Sequence, residues 1–310
     1  MKLETTTEVE IIENAPKPAI FTDRIDIIDI IRGVALLGIL ILNIPHFGLD
    51  VYEAKDPETV NFWVRLFNII FFEGKMRALF SMIFGAGIVL FTSKKEKIGK
   101  SVTWLFYKRM IWLALFGLAH AHLFLWIGDI LYFYGVIGML AFLFRKMKAK
   151  YLALGVPLVA ILSFAANTFF MQQIRSQYLE YREVKVMQDS GVELGEKELE
   201  TLASWEQIRK EMLPNDEEAK ERVALMKGTY GEVASVVRPK VWKKQTKNLP
   251  YAIGDMLALM LLGIALYKWG FLTMQWTDAQ YKKTVWIGYG LGIPLVIYSF
   301  MFNRINFPTI

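Results

Sequence analysis

Residues 25–48 read IDIIDIIRGVALLGILILNIPHFG, and this stretch decides the class of the protein. It is apolar and exceeds the ~20 residues that a helix needs to cross a bilayer. Five polar side chains lie toward its two ends: Asp26, Asp29, Arg32, Asn43 and His46. A charge at the bilayer centre costs at least ~2.5 kcal/mol. The stretch therefore predicts a spanning helix whose polar groups either reach the membrane surfaces or form a site inside the protein.

The composition agrees with a membrane protein. Of the 310 residues, 54% are hydrophobic and 21% are charged, and the mean hydropathy is +0.32. In soluble domains about a quarter of the residues are charged. The chain has no cysteine, which excludes disulfides and thiolate metal sites. Residues 1–24 lack an apolar core with a cleavage site, so we expect no removable signal peptide.

The fold class predicted from these patterns is all-α, a polytopic bundle of about seven spanning helices with an external helical insertion. The predicted spans are residues 27–48, 76–92, 104–126, 129–145, 152–171, 251–268 and 285–302. Residues 62–72 are too short to span and are predicted to form an interfacial helix. The insertion contains two predicted amphipathic helices, over 194–212 and 217–230, joined through the PND turn at 214–216.

This reading divides the chain into four parts. They are a cytoplasmic tail (1–24), a transmembrane core (25–171), an extracytoplasmic helical insertion (172–249) and two final spanning helices (250–310).

The basic loops predict the orientation. Lysine and arginine concentrate in residues 93–109, 145–150 and 268–283, which seven crossings place on one side. The positive-inside rule makes that side cytoplasmic. We therefore predict a multi-pass plasma-membrane protein, its N-terminus inside and its C-terminus and insertion outside. The net charge of +6 indicates orientation in the lipid bilayer, and no nucleic-acid partner is expected.

Ionisable groups inside a membrane are a functional-site hypothesis by default. The prediction groups most of them at the outer end: His46, Glu73, Lys75, Arg77, His120, His122 and Asp129. A neutral histidine is a candidate general base, with Asp129 as its partner. The two histidines of HAH lie ~200° apart on a helix, so at most one faces the interior. Gly117 one turn earlier favours His120 for that place.

The other polar residues receive supporting roles. Lys75 and Arg77 are candidates to bind a carboxylate, a phosphate or a developing oxyanion, and Glu73 to orient the base. At the inner end, Asp29 and Arg32 are expected to pair and to face other helices. No spacing typical of a metal site occurs.

Each of these functional interpretations has a structural alternative. Histidines near helix ends also lie at the headgroup level without further function. FGAG (84–87) and five glycines are predicted to be close-packing points: Gly33, Gly38, Gly117, Gly135 and Gly138. The outer constellation suits acyl transfer to an extracellular hydroxyl or amine, but it suits a proton-coupled transporter as well. A membrane scaffold with a partner-binding insertion is the third reading.

Several stretches resemble the YeiB-like family of bacterial polytopic membrane proteins, which is named for a domain of unknown function. They are RIDIIDIIRGVALLGILILNI (24–44), FFEGKMRALFSMIFGAGIVL (71–90), KRMIWLALFGLAHAHLFLWIGDILYFYGVIGML (108–140), GTYGEVASVVRPKVW (228–242) and DMLALMLLGIALYKWGFL (255–272). That family is similar to transmembrane acyltransferases of the heparan-glucosaminide acetyltransferase and envelope O-acyltransferase type.

The resemblance implies a cytoplasmic acyl donor, for which acyl-CoA is the candidate, and an acceptor outside. Arg32 resembles the arginine of the relatives' first-helix motif. Asn43 falls where the envelope O-acyltransferases place a catalytic histidine, and the heparan-type relatives also show Asn in that part of the helix. With Asp29, Arg32 would line the inner donor entrance, while His120 or His122 would serve as the base.

Overall fold

The computed structural model describes residues 26–44, 58–96, 102–212, 216–247 and 249–306. Within these ranges every regular secondary-structure element of eleven residues or more is an α-helix, and no strand occurs. The helices are α1 (Asp26–Asn43), α2 (Val60–Phe71), α3 (Lys75–Glu96), α4 (Val102–His122), α5 (Leu131–Leu143), α6 (Ala149–Asp189), α7 (Glu196–Met212), α8 (Asp216–Met226), α9 (Tyr230–Thr246), α10 (Leu249–Lys268) and α11 (Asp278–Asn306). The predicted all-α class is confirmed.

The bundle is built around α10. This helix packs along α3 on one side and along α6 on the other, and it also contacts α5. Helix α4 pairs with α5, and α1 lies on α3. Fully buried side chains such as Tyr134, Ile137, Met260 and Ile264 fill the space between these helices. The core therefore lies where α3, α5, α6 and α10 meet.

Glycines allow the close approach of α3 and α10. A Cβ atom at Gly85 would overlap the carbonyl oxygen of Met260, and one at Gly263 would overlap that of Met82. Two helix backbones thus touch directly, as small residues permit in membrane bundles.

The predicted close-packing role is confirmed for Gly85 in FGAG and for four of the other glycines: Gly38, Gly117, Gly135 and Gly138. It is wrong for Gly33 and for Gly87 of FGAG, because no atom lies within 4 Å of a Cβ built at either position. These two glycines face open space.

Helix α2 is separate from α3, as predicted for residues 62–72. It begins at Thr59, whose hydroxyl oxygen accepts a hydrogen bond from Phe62 N at 3.4 Å. It ends before Gly74, which has φ +72°, a value that favours glycine. Lys75 Nζ donates to the carbonyl oxygen of Ile69 at 3.1 Å and so caps the last turn of α2. Its interfacial position remains a prediction.

Three described segments are long and apolar enough to cross a membrane: Val60–Ser93, Val102–His122 and Ala149–Asp189. The first of them covers α2 and most of α3. The apolar helix Leu131–Leu143 is shorter, at 13 residues. The chain is accordingly a helical membrane protein. The total of seven crossings and their orientation remain predictions.

Helix α6 runs without a break through residue 171, where the fifth span was predicted to end. Its 41 residues reach ~60 Å, about twice the hydrocarbon thickness. Trp205 of α7 packs on Tyr178 and Tyr181 of its distal half, with ring centroids 5.1 and 5.8 Å away. Helices α7 and α8 correspond to the two predicted insertion helices, but α8 ends at Met226, before the predicted residue 230, which begins α9. Part of the turn between α7 and α8 lies outside the described residues.

Candidate functional site

Asp129 is the buried anchor of the candidate site. It follows the loop that leaves α4 and precedes the first turn of α5, and it is 3% exposed. Its Oδ1 accepts from Leu131 N at 3.3 Å and its Oδ2 from Tyr132 N at 3.0 Å. Backbone amides at a helix start otherwise lack partners, and they stabilise a negative charge. These two hydrogen bonds therefore fix the orientation of the carboxylate.

His120, in the last turn of α4, contacts that carboxylate. Its Nδ1 lies 3.0 Å from Asp129 Oδ1. A carboxylate accepts this hydrogen bond from Nδ1–H, and in a neutral imidazole that tautomer has its lone pair on Nε2. Among the described residues Nε2 has no hydrogen-bond partner. The side chain is 42% exposed.

The loop between α4 and α5 holds this pair in place. Leu125 has φ +57°, a conformation that is uncommon for a residue with a side chain. Trp126 N donates to the carbonyl oxygen of His120 at 3.2 Å. The Trp126 ring stacks on the His120 imidazole, with the ring centroids 6.4 Å apart. Strained backbone of this kind concentrates at functional sites.

Helix α9 closes the site from the insertion side. His122 Nε2 lies 3.0 Å from Oε1 of Gln245, and Arg238 Nε donates to the carbonyl oxygen of His122 at 3.1 Å. Gln245 is buried, and its Nε2 has no partner in the described part of the chain. The two histidines thus differ as predicted: His120 contacts the carboxylate, and His122 holds α9.

Lys244 brings a cation to the same loop. Its Nζ donates to the carbonyl oxygen of Ile127 at 2.9 Å. Burial lowers the pKa of Lys244 below its usual 10.5, while the charge of Asp129 acts in the opposite direction. Lys244 thus places its amino group at the loop that leads to Asp129.

A second polar cluster joins α3, α5 and α10. Arg77 forms an ion pair with Asp255 of α10. Ser81 Oγ lies 2.6 Å from the Tyr134 hydroxyl and donates to the carbonyl oxygen of Arg77 at 2.9 Å. Ser81 and Tyr134 are fully buried. Because Arg77 already has a carboxylate partner, its predicted role as an open anion-binding group is not favoured.

The remaining predicted residues are dispersed. Lys75 donates to the carbonyl oxygens of Ile69 and Glu73 and makes no bond to His120 or Asp129. The Glu73 side chain is exposed. Asn43 is half-buried at the end of α1, and His46 lies outside the described residues.

The predicted pair of Asp29 and Arg32 is confirmed, with Arg32 NH1 2.8 Å from Asp29 Oδ1. The expected position facing other helices holds only in part, because the two side chains are 43% and 42% exposed while Arg32 also lines a cavity beside α3 and α4. Both lie on α1, which packs mainly on α3.

Sequence reasoning missed Lys244, Gln245 and Asp255. Asp255 stands in the apolar run YAIGDMLALMLLG (251–263), and a lone carboxylate there signals a buried partner. Lys244 and Gln245 carry no such signal, because a basic helix in an insertion is ordinarily solvated.

Comparison with known proteins places the chain among membrane acyltransferase-like proteins. Residues 24–183, about half of the chain, match the family model for the heparan-alpha-glucosaminide N-acetyltransferase catalytic region. The matched segment contains His120, Asp129, Arg77 and Arg32, while α9 and α10 lie beyond it.

Three curated relatives are similar over part of their length. The uncharacterized protein YxaH of Bacillus subtilis (strain 168) is 36% identical over 144 residues, 43% of this chain and 36% of the relative. An uncharacterized 39.9 kDa protein of Bacillus acidopullulyticus is 33% identical over 50% of this chain and 44% of its own length. The uncharacterized protein YeiB of Escherichia coli (strain K12) is 36% identical over 36% of this chain and 29% of its own length.

The chain thus spans less than half the length of each of these relatives. No solved structure matches it. The match to the family model covers the half that holds the histidine–carboxylate pair, and the resemblance to YeiB-like proteins is confirmed. The chain belongs to the heparan-alpha-glucosaminide N-acetyltransferase catalytic-region family.

Proposed function

We propose that the protein transfers an acyl group from a cytoplasmic donor to a hydroxyl or amine at the outer face of the membrane. The observation that carries the proposal is the 3.0 Å contact between His120 Nδ1 and the buried Asp129 carboxylate. The carboxylate fixes the tautomer in which Nε2 is a base and stabilises the imidazolium that forms when Nε2 takes a proton.

In this reaction His120 Nε2 removes the proton of the acceptor, whose oxygen or nitrogen attacks the acyl carbonyl carbon. The bond from that carbon to the leaving group breaks, and the leaving group takes the proton back from His120. With acyl-CoA as the donor the leaving group is the CoA thiolate. General-base catalysis of this kind contributes ~10²–10⁴-fold.

Other residues support these steps. Lys244 of α9 donates to the loop that precedes Asp129, and we assign it to the stabilisation of the developing oxyanion. His122 and Gln245 hold α9 over the end of α4. Arg32 with Asp29 is assigned to the inner donor entrance, on the predicted cytoplasmic side.

The experiment uses membranes that contain the full chain and acetyl-CoA labelled in its acetyl group. We expect label in an envelope fraction, and a loss of about a hundredfold or more in His120→Ala. Asp129→Asn should also lower the rate of label transfer, because the amide no longer fixes the tautomer of His120. His122→Gln, which keeps a donor toward Gln245, is the matched control and should retain activity.

Three outcomes contradict the proposal. Equal label transfer by His120→Ala would remove the base. Counterflow of an unmodified solute without any label transfer would favour a transporter. A cellular function that requires residues 172–249 but tolerates loss of the intramembrane polar groups would favour a scaffold.

A further inference from the structure

An apolar cavity of about 740 Å³ lies between α3 and α4 and is separate from the histidine–carboxylate pair. Its lining runs from Phe80 to Phe91 on α3 and from Phe106 to Phe116 on α4. These stretches of twelve and eleven residues make it ~16 Å long. Arg32 of α1 and Arg109 of α4 are its charged lining residues. The cavity is thus a long apolar slot with guanidinium groups at one part of its wall.

The slot opens sideways out of the bundle. Trp112 and Phe116 line it, and their side chains are 53% and 61% exposed. Gly87 of α3 also lines it, and no atom lies within 4 Å of a Cβ built there. In a membrane protein, apolar side chains on an open helix face meet lipid. A hydrocarbon chain from the bilayer can therefore enter without crossing water.

The two arginines give the slot a net positive charge. Arg32 is paired with Asp29, so its charge is largely balanced. Arg109 pairs with no carboxylate among the described residues, and its guanidinium carbon lies 5.7 Å from the centroid of Phe91. Guanidinium groups bind phosphate bidentately and tolerate partial burial.

Both arginines occupy a similar level of the predicted topology. Arg32 is six residues from the start of α1 and Arg109 is seven from the start of α4, ~10 Å along each helix. Both starts are predicted to be cytoplasmic. A phosphate bound there would belong to the inner leaflet, which carries anionic lipids.

We propose that the cavity between α3 and α4 binds an anionic glycerophospholipid of the inner leaflet. One acyl chain lies in the slot between Phe80 and Phe116, and the phosphate contacts Arg109. The proposal does not depend on acyl transfer. The lipid covers a gap at which α3 and α4 make few mutual contacts.

The headgroup is tested by native mass spectrometry of the purified full chain in detergent. The two probes are dioleoyl phosphatidylglycerol and dioleoyl phosphatidylcholine, which share their acyl chains. We expect phosphatidylglycerol to bind about fivefold more tightly than phosphatidylcholine, because one basic residue near an anionic membrane surface strengthens binding by about that factor. Arg109→Gln should abolish the difference, and Lys282→Gln, which removes an exposed cation from α11, should keep it.

The slot is tested by filling it. Gly87→Phe should reduce binding of both lipids at least tenfold, because the ring occupies the slot. The control is Gly290→Phe on α11, where a Cβ likewise meets no atom within 4 Å. If Gly87→Phe does not give a monodisperse protein, Gly87→Leu replaces it, with a smaller loss expected.

Three results would overturn the proposal. They are equal binding of the two lipids, unchanged binding by the Gly87 variants, and displacement of phosphatidylglycerol by palmitoyl-CoA at equal concentration. The last result would assign the slot to the acyl donor. Failure of the lipid experiment leaves the label-transfer experiment unaffected, since that one depends on His120.

Discussion

Arg77 and Asp255 are 178 residues apart in the sequence and form an ion pair that joins α3 to α10. The pair stands in otherwise apolar helices, beside the buried hydrogen bond between Ser81 and Tyr134. Each charge compensates the other where an unpaired one would be costly. The contact therefore fixes the register of the two helices whose backbones cross at Gly85 and Gly263.

The first prediction concerns this pair. Arg77→Leu should lower the thermal midpoint in detergent more than the double variant Arg77→Leu, Asp255→Leu, because the single change leaves a carboxylate without its partner. We expect a coupling free energy of about 1 kcal/mol, since both side chains are half-exposed. Lys282→Leu, on the exposed face of α11, is the control. Additive losses in the cycle would show that the two charges act independently.

The second prediction concerns two glycines that are two residues apart on α3. Gly85→Ala should destabilise the protein, because its Cβ would meet the Met260 backbone of α10. Gly87→Ala should be neutral or stabilise by up to about 1 kcal/mol, because a helical glycine loses more entropy than alanine. Thermal denaturation of both variants in one detergent compares them directly. Equal midpoints would show that α3 and α10 are not in contact at this crossing.

Sequence patterns predicted the helices well because burial in a membrane demands long apolar runs. The separate helix α2, the two insertion helices and the close-packed Gly117 all follow from local composition and spacing. Gly87 and Gly85 show the limit, since both lie in FGAG and only contact with Met260 separates them.

The candidate site was partly predictable for the same reason. His120 and Asp129 are nine residues apart, so a short loop necessarily brings them close. Lys244 and Gln245 reach that loop from more than 110 residues away through the docking of α9, which no local pattern encodes.

The third prediction concerns pH. Burial lowers the pKa of Lys244 in the folded protein, so at neutral pH its charged form opposes folding. That penalty is relieved as pH rises from the folded pKa toward the usual value of 10.5. The thermal midpoint should therefore gain from this group as the pH is raised, and Lys244→Met should lose the gain. Lys243→Met, at the exposed neighbouring position, serves as the matched control. An identical pH dependence in Lys244→Met and the native chain would contradict the assignment.

The last prediction concerns the orientation of α6. The helix is 41 residues long, and its ends are Lys148 and Ser190, so its ~60 Å length can place them on opposite sides of a ~30 Å hydrocarbon layer. The chain contains no cysteine, so single cysteines label without background. In intact cells, a membrane-impermeant thiol reagent should label Ser190→Cys, while Lys148→Cys should label only after the membrane is opened. Ser93→Cys, at the end of α3 next to the first basic loop, should behave like Lys148→Cys. Labelling of Ser93→Cys with protection of Ser190→Cys would invert the topology. It would then place His120 and Asp129 on the cytoplasmic side, and the acceptor would have to be sought there.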